Sequence, residues 1–328
     1  MYRGRRLRKN QVIRSMMKET VLTKRDLIYP LFVVEGENIC REIETLPGGN
    51  TEQDYHYSID RLCEALDEMR EAQVLSCILF GIPNHKDACG TQAYAQEGIV
   101  QRAIRFIKSY APEIYVIGDV CMCEYTDHGH CGILNAEGDV MNDETLSYLN
   151  RIALSYAQAG IDMVAPSDMM DGHIASIRQT LDSAGFQNVA IMGYSAKYAS
   201  SFYGPFRAAA NSAPSFGDRK GYQMDYANRE EALRELQADV DEGADVLMVK
   251  PALAYLDIVR EAKEQFSLPL AVYNVSGEYA MLKMAVDQGL VREEAIFESI
   301  LAMKRAGADL IITYFALYLA RKIDEGVQ

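Results

Sequence analysis

Apolar residues along this chain gather into short runs separated by stretches with helical spacing. The runs are LIYPLFVV (27–34), VLSCILF (74–80), IYVIGDV (114–120), DMVAPS (162–167), VAIMGYS (189–195), DVLMVK (245–250), LAVYNVS (270–276) and DLIITY (309–314). Runs of this length read as buried strands, and their alternation with helices predicts a parallel sheet. Three units are near copies: AGIDMVAPS (159–167), EGADVLMVK (242–250) and AGADLIITY (306–314). In each, a glycine suits the left-handed residue that closes a helix, and a strand follows. Seven residues after that glycine stand Ser167, Lys250 and Tyr314, so polar groups recur at the carboxyl ends of apolar strands. An open doubly wound sheet also binds ligands at strand ends. Eight strands and the repeat instead predict an α/β fold with one closed (β/α)8 TIM barrel, whose active site lies on that rim.

Two segments fall outside the alternation. Residues 1–20, rich in Arg and Lys with little apolar surface of their own, read as an amino-terminal arm; residues 21–328 form the barrel domain. Residues 199–226 are dense in Gly, Pro, Ser and aromatics, and a connection this long after the fifth strand reads as a lid. Just beyond it, Asn228 and Glu231 suit a capping pair, with Leu233, Leu236 and Val240 on one helix face before Gly243 ends the segment.

Composition narrows the function. A length of 328 residues, 49% of them hydrophobic, suits one large core, and a net charge of −14 argues against nucleic acid or an anionic membrane as the main partner. No apolar run approaches the roughly 20 residues that span a bilayer. The start, MYRGRRLRKNQ, lacks the apolar stretch of a secretory signal. Seven cysteines in such a chain point to a reducing, cytoplasmic compartment, where they serve metal binding or chemistry before disulfides.

Lys250 follows Val246, Leu247, Met248 and Val249 without a break, and lysine is seldom buried without a purpose. Burial and a nearby cation lower an amine's pKa and leave it able to attack a carbonyl. Lys197, expected just beyond the preceding strand, would be that cation, and the pair suits Schiff-base chemistry. The ordinary alternative is a lysine that reaches the rim to neutralise a carboxylate. Arg207, Arg219 and Lys220 in the lid are candidates to clamp substrate carboxylates. Between the third and fourth strands, DVCMCEYTDHGHCG brings Cys121, Cys123 and Cys131 together as a zinc set. His128, His130 and Asp127 stand nearby as possible fourth ligands, the histidines reading better as orienting groups. Cys40, Cys63, Cys77 and Cys89 read as ordinary thiols.

The motifs CMCEYTDHGHCG, APSDMMDG, YSAKYASSFYGPFR, GDRKGYQM, LMVKPALAYLDIVR and VSGEYAM resemble those of the porphobilinogen synthase (5-aminolaevulinate dehydratase) family, and the similarity runs from residue 5 to residue 316. The resemblance implies an enzyme of tetrapyrrole (haem) biosynthesis. It would join two 5-aminolaevulinate molecules into porphobilinogen in a barrel with an arm, commonly a homo-octamer. By resemblance, Lys250 forms the Schiff base with the first substrate and Lys197 engages the second. Arg207, Arg219 and Lys220 hold the second substrate's carboxylate. Ser276 and Tyr314 hold the first's, with Tyr273 beside them. Asp119, Ser167 and Tyr203 orient amines and leaving water, and Cys121, Cys123 and Cys131 bind the catalytic zinc. Glu235 matches an acidic position that binds an allosteric magnesium in bacterial members. Gly4 and Gly221 depart from the family's proline and, in animal members, cysteine. Two other classes compete: an aldolase of sugar phosphates, for which no glycine-rich phosphate cup is found, and a zinc-binding sensor, which needs no reactive lysine.

Overall fold

The computed structural model describes residues 1–48 and 53–327. Its strands are β1 (Leu27–Val34), β2 (Cys40–Glu42), β3 (Tyr55–Tyr57), β4 (Ser76–Ile82), β5 (Tyr115–Val120), β6 (Met163–Pro166), β7 (Ala190–Lys197), β8 (Val246–Lys250), β9 (Leu270–Asn274) and β10 (Leu310–Thr313). Strands β4 to β10 pair in sequence and parallel, with β1 beside β4. Leu27 and Ile28 of β1 then pair with Ile311 and Ile312 of β10, which closes an eight-stranded barrel. The eight predicted strands are these eight, with ends shifted by at most two residues.

β2 and β3 were not foreseen. Each has only three residues, too few for a periodic signal. They pair antiparallel with each other, and β3 lies parallel to the carboxyl half of β1, with His56 opposite Phe32.

Burial explains the strand composition. All eight residues of β1 and all five of β8 and of β9 are buried, because helices cover the outside and side chains fill the inside. Each buried Leu, Ile or Val contributes about 1.5–3 kcal/mol. On the outer layer, the helix Ile99–Tyr110 buries Ile99, Ala103, Ile104 and Ile107 along one stripe. Gly160 and Gly243 close their helices at φ 97°, in the left-handed region expected of them.

The capping pair takes another form. Asn228 donates to the Glu231 carboxylate at 2.7 Å, but the helix Glu230–Glu242 begins after Arg229, whose side chain caps nothing. The lid is stitched shut at its base, where Ala199 N donates to Met224 O at 2.8 Å and Met224 N to Lys197 O at 3.1 Å. It holds a turn at Ser201–Tyr203 and a short helix at Gly204–Ala209. The arm folds as a turn, Gly4–Arg8, and a helix, Gln11–Met16, whose Ile13 N–H is accepted by the Asn10 side chain at 3.0 Å. It is less purely basic than expected, because Tyr2, Leu7, Val12 and Met16 all lie exposed on it. Among the described residues no helix is long and apolar enough to cross a membrane.

Candidate active site

The site is built at the carboxyl end of the barrel, and its floor depends on one irregularity. Gly193 of β7 faces Leu247 of β8, yet Ala196 faces Val249, so β7 carries one extra residue there. Such a bulge re-aims the residues that follow it. Lys197 therefore ends opposite Lys250 and on the same side; without the extra residue Ala196 would take its place. Lys197 is the last residue of the strand, not beyond it. Both lysines are buried, 5% and 6% exposed.

Their surroundings differ. The Lys250 ammonium nitrogen lies 4.3 Å from the ring centre of Tyr273, 5.0 Å from Tyr194, 5.2 Å from Phe206 and 5.3 Å from Tyr203. Burial first, and then the charge of Lys197, pull its pKa from 10.5 to about 7. Lys197 instead donates to the Ser167 carbonyl oxygen. Ser167 follows β6, and its hydroxyl donates to Asp119 Oδ2 at 3.1 Å. Burial, with the charge of Glu124 beside it, pushes the Asp119 carboxyl up to about 7.

Aromatic and basic groups from the lid cover this floor. Tyr203 donates to the carbonyls of Tyr198 at 2.7 Å and Lys250 at 3.2 Å. Arg207 and Arg219 both border the cavity that contains the lysines, Asp119 and Ser167. Arg219 spends one terminal nitrogen on the Gly129 carbonyl at 2.9 Å and on that of Ser212. The Nε of each arginine is buried without a partner, which suits two cations waiting for an anion. Lys220 does not join them. It is exposed, lies 3.9 Å from Asp218, and borders an outer cleft together with Asp171, Glu231 and Glu235. Burial, and then Asp171, push the Glu235 carboxyl above its ordinary value.

Ser276 is fully buried as the first residue of the helix Ser276–Asp287, and its hydroxyl accepts from the Phe206 N–H at 2.9 Å, tying the lid down. The Tyr273 and Tyr314 hydroxyls meet at 3.1 Å. Sequence reasoning passed over Glu124, Tyr194 and Phe206. Glu124 was masked by the cysteine motif around it, and the two aromatics look like ordinary core until Lys250 is seen to point at them.

Cys121, Cys123 and Cys131 converge with their sulfurs within 4.8 Å of one another, all buried, the first two 3.3 Å apart. Three thiolates at about 2.3 Å from one zinc ion would stand about 3.8 Å from each other, so the set fits with only a small spread. The hydrogen bonds of Cys121 and Cys123 hold the Cys131 thiol well below the usual range, while burial pushes Cys121 up. No fourth protein donor joins among the described residues. His130 spends both ring nitrogens on the lid, 3.2 Å from the Tyr222 hydroxyl and 3.1 Å from the Phe216 carbonyl, and Asp127 is exposed. The three cysteines would thus hold a metal ion, and Cys123 also borders the cavity that contains Lys197 and Lys250.

Comparison with known proteins agrees with this geometry. The family model described as delta-aminolevulinic acid dehydratase matches residues 1–322. The chain is 54% identical over 324 residues to the delta-aminolevulinic acid dehydratase of Halalkalibacterium halodurans, covering 98% of this chain and 97% of that one. It is 53% identical over 324 residues to the enzyme of that name from Bacillus subtilis, covering 98% of each. Among solved structures it resembles delta-aminolevulinic acid dehydratase (porphobilinogen synthase) of Toxoplasma gondii in complex with the product porphobilinogen. There the TM-score is 0.96 at 40% identity, over 100% of this chain and 93% of that one. A barrel floored by two facing lysines, beside three converging cysteines and under a cationic lid, is thus matched along its whole length, and the chain belongs to the delta-aminolevulinic acid dehydratase family.

Proposed function

We propose that this chain is a lyase that condenses two molecules of 5-aminolaevulinate into porphobilinogen with loss of two waters. The observation that carries the reading is the pair of buried amines, Lys197 and Lys250, set face to face on adjacent strands. With a pKa of about 7, Lys250 is about half neutral at neutral pH, where an ordinary lysine is neutral in only about one molecule in 3000. Its free lone pair attacks the ketone of the first substrate; the carbinolamine hydroxyl takes up a proton and leaves as water, and an iminium forms. Lys197 engages the second substrate. Tyr203 and Phe206 close over the first amine and keep water out, while Asp119 and Ser167 hold or pass protons beside the second. Arg207 and Arg219 receive the second substrate's carboxylate, and Ser276, Tyr314 and Tyr273 the first's. Fixing both molecules in one cavity removes most of the entropic barrier to joining them.

Cys121, Cys123 and Cys131 would hold zinc, which supplies Lewis acidity toward the second substrate's carbonyl or a bound water when present. Glu235, on the rim of an outer cleft not lined by Lys197 or Lys250, would bind an allosteric magnesium. The arm, residues 1–20, would dock on a neighbouring subunit of a homo-octamer through the apolar side chains it exposes.

The deciding experiment incubates the zinc-loaded protein with 5-aminolaevulinate and follows the pyrrole product. Borohydride should trap substrate on Lys250, and Lys250→Ala should abolish turnover. A folded Lys250→Ala variant that keeps more than about a tenth of parental turnover, a loss of less than about 1.4 kcal/mol, would refute the assignment.

A further inference from the structure

A histidine that touches no reacting group is buried between two carboxylates, one of them next in sequence to the residue that receives the Lys197 amine. His173, Asp168 and Asp239 are 4%, 0% and 6% exposed. His173 Nδ1 lies 3.1 and 3.0 Å from the two Asp168 oxygens, and Nε2 lies 3.6 Å from Asp239 Oδ1. With a carboxylate facing each nitrogen, a neutral ring would turn a lone pair toward one of them, so the surroundings favour the doubly protonated ring. Burial alone would lower its pKa, but Asp168 and Asp239 hold it well above the ordinary histidine value.

Each carboxylate also meets one support of Lys197. Asp168 follows Ser167, whose carbonyl receives the Lys197 amine, and its Oδ1 accepts the Met170 N–H at 2.8 Å. Between them Met169 is held at φ 70°, a conformation that a side-chain-bearing residue keeps only when its surroundings impose it. Asp239 Oδ2 lies against Gly193, where an added Cβ would come within 2.4 Å of it, so the start of the bulge that turns Lys197 toward Lys250 accepts only glycine while this carboxylate is in place.

We infer that His173, Asp168 and Asp239 form a positioning cluster for Lys197, fixing both the turn that receives its amine and the bulge that aims it. The inference rests on the proposed condensation, in which Lys197 serves the second substrate and Lys250 the first. The test is His173→Gln and Asp239→Asn in the zinc-loaded enzyme. An amine displaced by about 1 Å should lower kcat about a hundredfold. KM for 5-aminolaevulinate should stay within about threefold, and borohydride trapping on Lys250 should stay within about threefold of the parental rate, since a shift of about 1 Å in Lys197 changes their charge repulsion only slightly. Either a folded His173→Gln with kcat within about twofold of the parent, or Lys250 trapping that falls in step with turnover, overturns the inference. Should His173→Gln fail to fold, Asp239→Asn decides by the same measurements; if neither folds, the cluster serves the fold alone and the inference is wrong. Failure of the parent to trap substrate on Lys250 would instead refute the proposed function and is seen separately.

Discussion

Replacing Lys197 by methionine removes one charge from the floor while nearly preserving side-chain length, and it should move the titration of Lys250. The two residues face each other on adjacent strands, which run about 4.8 Å apart. Two unit charges about 5 Å apart at an effective dielectric of about 20 repel by about 3 kcal/mol, or about two pH units. Burial is the larger cause of the depressed Lys250 pKa and persists in the variant, so the value should rise from about 7 toward 9 without regaining 10.5. The sign follows from which form reacts. Only the neutral amine attacks the ketone, and removing a neighbouring cation favours the ammonium, so adduct formation near pH 7.5 should slow by roughly twentyfold. The assay is the initial rate of hydride-trapped 5-aminolaevulinate on the Lys250 peptide, followed by mass spectrometry from about pH 6 to 10. It needs no turnover, so loss of the second lysine does not obscure it. An unmoved midpoint, or one displaced to lower pH, would show that Lys197 does not set the state of Lys250. The Ser167 carbonyl loses its donor in this variant, at a stability cost of about 1–3 kcal/mol, which a melting curve would register apart from the titration.

Chelation should inactivate the enzyme reversibly without unfolding it, because the three thiols hang on a barrel with its own core; Cys123→Ala should mimic the loss, and global unfolding in circular dichroism would contradict this. Deleting residues 1–10 should produce smaller species in analytical ultracentrifugation while the barrel stays folded, and an unchanged sedimentation coefficient would remove the arm from assembly. Magnesium added to the zinc-replete enzyme should raise activity and the larger assembly together by linkage. Glu235→Ala should abolish both responses, and a flat titration of the parent would leave Glu235 as an ordinary surface group.

The barrel was legible because its strands are buried on both faces and read as unbroken apolar runs, and because Gly160, Gly243 and Gly307 announce the same helix–strand joint three times. Lys250 was legible for a related reason: a charge that ends such a run is conspicuous. The cysteine set was written in its spacing. The position of Lys197 was not, since the bulge between Gly193 and Ala196 is a property of pairing with β8 and leaves no mark in an apolar run. Lys220 shows the opposite failure: a cation in a lid looks like a ligand for carboxylates whichever way its side chain points, and this one points to the outer cleft. The cluster of Asp168, His173 and Asp239 joins residues up to 71 positions apart in the chain, and only folding shows that they share one buried spot.

The unequal beds of the two facing amines have a consequence for chemistry that starts from two copies of one molecule. In free solution the copies are interchangeable, and nothing tells either which half of an unsymmetrical product to become. Here one amine sits in a ring of four aromatic faces, and the other is tethered to a peptide carbonyl beside a carboxyl group. The distinction between the halves is thus inscribed in the receptacle before either copy arrives. A floor made of two equivalent lysines would hold the same pair of molecules and leave their roles to chance.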